Sequence, residues 1–185
     1  NETYVVTLAD ATKATLGTST ITTTITDDDG TPQIKLIGET SVAEGANGSY
    51  AVVLDGTALS AGQSFTFSLD TGSGTAQEGV DYAALVASGI TAGNGITLSG
   101  VSTDPVTKKV TITATNASGG VLNTGSQIVT FAVNSIQDLL VEGNETYVVT
   151  LADATKATLG TSTITTTITD DDGTPQIKLI GETSV

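Results

Sequence analysis

Residues 144–172 read NETYVVTLADATKATLGTSTITTTITDDD. Apolar and polar residues alternate twice in this stretch, first at Tyr147, Val149 and Leu151 and then from Ile164 to Ile168. A period of two places alternate side chains on opposite faces of a strand, so each segment predicts a half-buried β-strand. The stretch therefore indicates two strands, the second of which ends in three consecutive aspartates.

The same alternation recurs along the chain. It predicts further strands over residues 50–54, 65–69, 110–114 and 129–133, a strand over 34–42 broken at Gly38, and an eighth over 96–98. The dipeptides Asn47-Gly48, Asp55-Gly56 and Asn94-Gly95 supply the positive φ that tight turns require. Strands joined by such turns predict an all-β fold, an antiparallel Greek-key β-sandwich. We interpret the outward threonines of residues 163–169 as a solvated strand face rather than an array that binds ice or another surface.

The first 42 residues recur without change as residues 144–185, which gives a repeat of 143 residues. That period is far longer than a solenoid unit and matches one independently folding domain, so it predicts tandem domains. We place the boundary at residues 27–33 and its copy, residues 170–176. The predicted organisation is the last strands of a preceding repeat (1–29), a complete sandwich (31–172) and the first strand of a following repeat (173–185).

The composition narrows the possible partners. Twenty acidic residues against six lysines give a net charge of −14, which repels nucleic acid and anionic membrane surfaces, so we expect neither nucleic-acid binding nor membrane insertion. The chain contains no cysteine and no histidine, which removes thiol chemistry and the usual zinc ligands. Oxygen is therefore the ligand type that remains, and cations are the natural partners.

Eight of the fourteen acids in residues 31–172 fall at four places in the sequence. They are Glu44, Asp81, Asp138, Glu142, Glu145, Asp170, Asp171 and Asp172, with Asp27, Asp28 and Asp29 as the preceding copy of the last three. Each motif alone reads as a solvated turn or an exposed strand edge. Together they predict a calcium site, because calcium takes six to eight oxygen ligands and gathered carboxylates repel one another without a cation.

Four motifs, in order, resemble the Calx-beta type of immunoglobulin-like domain. They are Val42-Ala43-Glu44-Gly45, Gly79-Val80-Asp81-Tyr82, the segment from Asp138 through Glu142-Gly143-Asn144-Glu145-Thr146-Tyr147, and the closing Ile168-Thr169-Asp170-Asp171-Asp172. The resemblance implies an immunoglobulin-like sandwich whose calcium ligands fall on the acids named above. One departure is Gln137-Asp138, where the family often has two or three acids. Residues 83–126 are longer than the family pattern.

Calx-beta-type domains occur as tandem repeats in large bacterial surface adhesins. The resemblance and the repeat together predict an extracellular structural extender on a bacterial cell surface, stiffened by Ca²⁺ and contacting neighbouring repeats, that projects an adhesive tip. The alternative is a module that senses calcium or binds glycans or cells. We do not expect an enzyme: the chain lacks a Ser-His-Asp set, and it has no tryptophan to line the sugar cleft that a carboxylate pair would need.

Overall fold

The structure is a computed structural model that describes residues 1–26 and 30–181. The chain divides into two compact units, Asn1–Gly30 and Thr31–Val185. The first unit is a hairpin of β1 (Glu2–Thr7) and β2 (Thr20–Ile25), which pair antiparallel. None of the helical segments among the described residues is long and apolar enough to cross a membrane.

The second unit is built almost wholly from strands. They are β3 (Gln33–Gly38), β4 (Ser41–Ala43), β5 (Asn47–Leu54), β6 (Ser64–Gly72), β7 (Thr91–Ala92), β8 (Ile96–Thr103), β9 (Val110–Asn116), β10 (Gln127–Asn134), β11 (Glu145–Thr155), β12 (Thr158–Leu159) and β13 (Thr163–Thr169). One 3₁₀ turn, Ala87–Gly89, precedes β7. We call residues 31–172 the sandwich.

Two sheets face each other across the core. One has the order β12-β3-β5-β10-β7 and the other the order β4-β13-β11-β6-β9-β8. The opening segment contributes β3 to one sheet and β4 to the other, where β4 runs parallel to the closing strand β13. Most remaining pairs are antiparallel. The prediction of an all-β, immunoglobulin-like Greek-key sandwich is confirmed, whereas the tandem arrangement of such domains stays a prediction.

The core lies where the alternation predicts it. Phe65, Phe67 and Leu69 on β6 are at most 1% exposed, and they lie beside Tyr147, Val149 and Leu151 of the neighbouring strand β11, which are equally buried. Phe131 of β10 adds a ring stacked on Tyr50, with 5.5 Å between the ring centroids. Burial of these side chains removes apolar surface from water, which is the main favourable contribution to folding.

The predicted turn at Asn47-Gly48 is wrong, because both residues lie within β5. The reversal occurs earlier, where Gly45 has φ +72° and the amide of Ala46 donates to the carbonyl of Ala43 at 3.0 Å. Gly48 is buried, and a Cβ there would lie 2.7 Å from the Tyr147 hydroxyl oxygen. Glycine is needed at position 48 for close packing rather than for a positive φ.

The eighth strand is longer than predicted. It runs over Ile96–Thr103 at the edge of the six-stranded sheet, and its register against β9 shifts between Ser99 and Ser102. Gly100, inside this irregularity, has φ +60°. A bulge of this kind twists an edge strand and discourages pairing with other chains.

The chain enters and leaves the sandwich at opposite ends. Gln33 begins β3 beside Thr158, and we call this the upstream end. β13 finishes at Thr169 beside Ala43, after β3 and β4 have run the length of the fold, and we call this the downstream end. An extended, end-to-end path through the domain follows from this topology.

A chain of three buried hydroxyl groups and one backbone carbonyl joins the two sheets. The Thr166 hydroxyl donates to the carbonyl of Glu39 at 2.7 Å, so it must accept from the Tyr50 hydroxyl, which lies 2.6 Å away. Tyr50 has then used its proton and accepts from the Tyr147 hydroxyl at 2.8 Å. Burial raises the pKa of both tyrosines, which keeps them protonated as donors.

The direction of this chain predicts unequal costs for removing its two tyrosine hydroxyls. Tyr50→Phe should reduce the free energy of unfolding by about 1–3 kcal/mol, because the buried Tyr147 hydroxyl loses the acceptor that it contacts at 2.8 Å. Tyr147→Phe removes only the terminal donor and should cost about 0.5–1.5 kcal/mol. Urea denaturation of both variants measures the difference, and an equal or reversed order would contradict the proposed direction.

Candidate metal centre

Four loop segments meet at the downstream end of the sandwich and carry the predicted acids. Glu44 follows β4, Asp81 lies in the turn after β6, the segment between β10 and β11 supplies Asp138 and Glu142, and Asp170 to Asp172 follow β13. Glu145 is the first residue of β11. Because the ends of β4, β11 and β13 coincide in the six-stranded sheet, acids distant in sequence converge.

Among the described residues, Glu44, Asp171 and Asp172 form one group whose carboxylate oxygens lie within 4.8 Å of one another. Glu44 Oε1 accepts from the amide of Asp138 at 2.8 Å, and Gln137 Nε2 donates to Asp171 Oδ1 at 3.1 Å. Asp172 Oδ2 is buried and has no hydrogen-bond partner among the described residues. Burial, then the charges of Asp171, Asp170 and Asp138, raise the pKa of Asp172.

Asp81, Glu142 and Glu145 form a second group, again with one oxygen from each within 4.8 Å of the others. They line a small, partly open cavity of about 20 Å³ that Glu44 and Asp170 also border, a volume near that of a single water molecule or ion. Burial is the main cause that raises the pKa of Glu145, followed by its hydrogen bond to Asp81. Burial also raises the pKa of Glu142, assisted by the charges of Asp138, Asp81, Glu44 and Asp170.

Asp138 and Asp170 lie between the two groups and hold the loops. Asp170 Oδ2 accepts from the amides of Glu142 at 3.1 Å and Gly143 at 2.8 Å, and its Oδ1 accepts from the amide of Asp172 at 3.0 Å. The bonds from Asp172 and Gly143 are the main cause that lowers the pKa of Asp170. Asp138 Oδ1 accepts from the amide of Leu140 at 2.6 Å. Both aspartates therefore position the backbone that carries the other acids.

The structure thus places the eight predicted acids of the sandwich at one end and divides them by role. Six form the two carboxylate groups, although Glu44 and Asp81 also accept backbone hydrogen bonds, and the other two, Asp138 and Asp170, accept backbone hydrogen bonds outside the groups. The assignment of all eight as metal ligands stays a prediction. Asp27, Asp28 and Asp29 lie outside the described residues.

Two features of this end are missing from the sequence prediction. Gln137 donates its amide to Asp171, so the residue that departs from the family pattern occupies a place where a further carboxylate would face the first group. Leu139, Leu140 and Val141 are exposed between two acids. The sequence does contain a sign of this exposed run, because its three consecutive apolar residues do not fit the alternating pattern of a strand.

Two ion pairs of the sandwich lie away from the acid groups. Lys35 Nζ lies 3.0 Å from Asp55 Oδ1 near the upstream end, and Lys109 Nζ lies 3.0 Å from Asp153 Oδ2. Neither pair includes an acid of the two groups, so the repulsion within the groups is not relieved by these lysines. A bound cation would relieve it directly.

No protein-family model and no curated protein matches this chain. Solved structures similar to it include the apo form of the Calx CBD1 domain, with 19% identity and a TM-score of 0.48, covering 75% of this chain and 98% of that one. CBD12 from CALX1.2 has 19% identity and a TM-score of 0.49, covering 76% of this chain and 46% of that one. A cohesin module from a Clostridium perfringens glycoside hydrolase has 12% identity and a TM-score of 0.39, covering 77% and 98%. At these identities the likeness concerns the fold alone.

Proposed function

We propose that the sandwich is a calcium-binding immunoglobulin-like module. The observation that carries the proposal is the pair of carboxylate groups at the downstream end, together with Asp172 Oδ2, an oxygen buried without a hydrogen-bond donor among the described residues. A buried carboxylate oxygen without a donor costs free energy unless a cation takes the donor's place. The residues present therefore fit a bound metal ion.

The chemistry of the donor set favours calcium among the common metals. Every candidate ligand is a carboxylate oxygen, which suits hard cations rather than zinc or copper. The ligands come from four separate segments, and such a mixed set suits the larger and less regular coordination of Ca²⁺ better than the strict octahedron of Mg²⁺. Glu44, Asp171 and Asp172 would hold one ion, and Asp81, Glu142 and Glu145 would hold another.

The further proposal is that this module serves as an extender repeat of an extracellular adhesin on a bacterial cell surface. Two observations support it: the exact recurrence of 42 residues after 143 positions, and the opposite placement of Gln33 and Thr169 in the sandwich. A domain that the chain enters at one end and leaves at the other adds its full length to a tandem array. Calcium at the downstream end would fix the loops from which the next repeat begins.

Calcium titration calorimetry of the full chain tests the proposal, and we expect at least two ions to bind. Glu142→Gln with Glu145→Gln should remove one binding event, and Asp171→Asn with Asp172→Asn should remove another. Asp104→Asn is the matched control, because Asp104 accepts from the amides of Val106 and Thr107 in an exposed turn and asparagine can do the same. Absence of binding at millimolar calcium would refute the proposal.

The affinity also separates the spacer from the sensor. Extracellular modules bind calcium with dissociation constants of about 10⁻⁴–10⁻³ M, whereas regulatory sensors bind at about 10⁻⁷–10⁻⁵ M. We expect the weaker range here. Affinity in the micromolar range, accompanied by a change in shape, would instead favour a calcium sensor.

A further inference from the structure

Three consecutive apolar side chains project from the downstream end of the sandwich. Leu139, Leu140 and Val141 are 87%, 58% and 47% exposed, and they lie between Asp138 and Glu142. We call them the 139–141 tip. Contiguous apolar surface in water is unfavourable and marks a place of contact.

The backbone on both sides of the tip is fixed. The amide of Leu140 donates to Asp138 Oδ1 at 2.6 Å, and the amides of Glu142 and Gly143 donate to Asp170 Oδ2 at 3.1 and 2.8 Å. The loop is therefore held by two carboxylates of the same end. A contact made by the tip would lose little conformational entropy, because its backbone is already ordered.

The path of the chain identifies what faces the tip. Residues 173–181 repeat residues 30–38, so Gln176 corresponds to Gln33, which begins β3 at the upstream end. Four residue steps separate Asp172 from Gln176, and an extended chain spans at most about 14 Å over that length. The upstream end of a following copy must therefore lie within about 14 Å of Asp172, on the side where the tip projects.

The upstream end is chemically suited to meet an acidic, apolar-tipped surface. Its charged residues, Lys35, Asp55 and Lys156, comprise two lysines against one aspartate. Val121, in the loop that follows β9, is 57% exposed there and offers an apolar contact. An acidic end facing another acidic end would be repelled, whereas this pairing is not.

We infer that the 139–141 tip packs against the upstream end of the following copy of the sandwich and forms part of the interface between successive repeats. The inference rests on the tandem arrangement in the proposed function. A lipid surface is the competing occupant, but the chain continues from Asp172 at the same end as the tip, and the net charge of −14 opposes an anionic membrane.

A single thiol tests this contact, because the chain contains no other cysteine. The full chain is lengthened by one period by repeating residues 43–185 after Val185, which gives two complete sandwiches. Leu140→Cys is placed either in the first sandwich, whose tip would be covered, or in the second, where no complete copy follows. The two proteins carry the same local change, so any effect of the substitution on folding is matched between them.

In millimolar calcium we expect the first thiol to react with a maleimide at least about ten-fold more slowly than the second, because an interface excludes the reagent. Leu139→Ser in the first sandwich should remove much of that protection, whereas Val106→Ser, at an 86% exposed apolar residue of the β8–β9 turn, should not. Equal reaction rates of the two thiols would overturn the inference.

Two further measurements separate this inference from its alternatives. Calorimetry on the same protein shows whether calcium binds, so equal thiol rates with calcium bound would refute the contact and leave the metal proposal standing. A protected thiol in the first sandwich without calcium binding would support the contact and refute the metal proposal. Calcium-dependent sedimentation of the original chain with phosphatidylserine vesicles, abolished by Leu139→Ser, would assign the tip to a lipid surface and overturn the inference.

Discussion

Chelation of calcium is expected to lower the melting temperature of this chain by about 10 °C. A metal that binds only the folded state stabilises it by about 2.7 kcal/mol when its concentration is one hundred times the dissociation constant. For a domain of this size, each kcal/mol corresponds to about 3–4 °C. Differential scanning calorimetry in millimolar calcium and in excess chelator measures the shift.

Variants show whether the shift comes from the acid groups. Asp171→Asn with Asp172→Asn should lower the melting temperature in calcium and reduce the further loss on chelation, because one ion can no longer bind. Asp104→Asn should behave as the unaltered chain, since it preserves the turn that Asp104 caps. Superimposable melting curves of the unaltered chain in calcium and in chelator would rule out a calcium-stabilised fold.

The period of two in the sequence was enough to predict most of the core. At Phe65, Phe67 and Leu69, for example, alternation alone identifies the inward face, because a strand leaves no other arrangement of its side chains. Asn47-Gly48 shows where local reasoning fails. The dipeptide is typical of a turn, but glycine is required at position 48 because the hydroxyls of Tyr50 and Tyr147 pack where a side chain would lie. A short segment of sequence does not reveal such a tertiary contact.

The candidate site was predictable as a set of acids but not as an arrangement. Asp170 and Asp171 are adjacent and chemically identical, yet Asp170 accepts from the amide of Gly143 whereas Asp171 meets the Gln137 side chain. The difference depends on which way each side chain leaves the end of β13 and on which loop lies opposite. Sequence gives neither the direction nor the neighbour.

The duplicated segments show how much of burial comes from context. β1 and β2 pair in the same register as the equivalent parts of β11 and β13, with Glu2 opposite Ile25 and Glu145 opposite Ile168. Tyr4 is nevertheless 50% exposed, while the equivalent Tyr147 is fully buried. The same sequence therefore forms the same hairpin in both places, and its burial comes from the rest of the sandwich, including Tyr50 and Tyr82, which contact Tyr147.

This contrast leads to the prediction with the largest effect. Chains 1–143 and 31–173 each contain one full period, with identical length and composition, because residues 144–173 repeat residues 1–30. We expect chain 31–173 to fold as a monomer with a cooperative melting transition. We expect chain 1–143 not to fold as a monomer, although it contains every strand sequence of the sandwich.

The reason is reach. In chain 1–143 the hairpin would have to take the place of β11 and β13, which puts Ile25 at the position of Ile168, opposite the first residue of β11. Gln33 lies at the other end, level with Thr158 just after β11 finishes, and the 11 residues of β11 span about 33 Å. The eight residue steps from Ile25 to Gln33 cover at most about 29 Å, and the two positions also belong to different sheets. Without the hairpin, β6 loses a partner and the core is open to water.

Circular dichroism and analytical ultracentrifugation of both chains at low micromolar concentration measure the outcome. Chain 1–143 can still form oligomers in which molecules exchange hairpins, and such assembly agrees with the prediction that its monomer does not fold. A monomeric chain 1–143 that melts cooperatively at the temperature of chain 31–173 would show that the linker can span the sandwich, and the assignment of the closing strands would have to be abandoned.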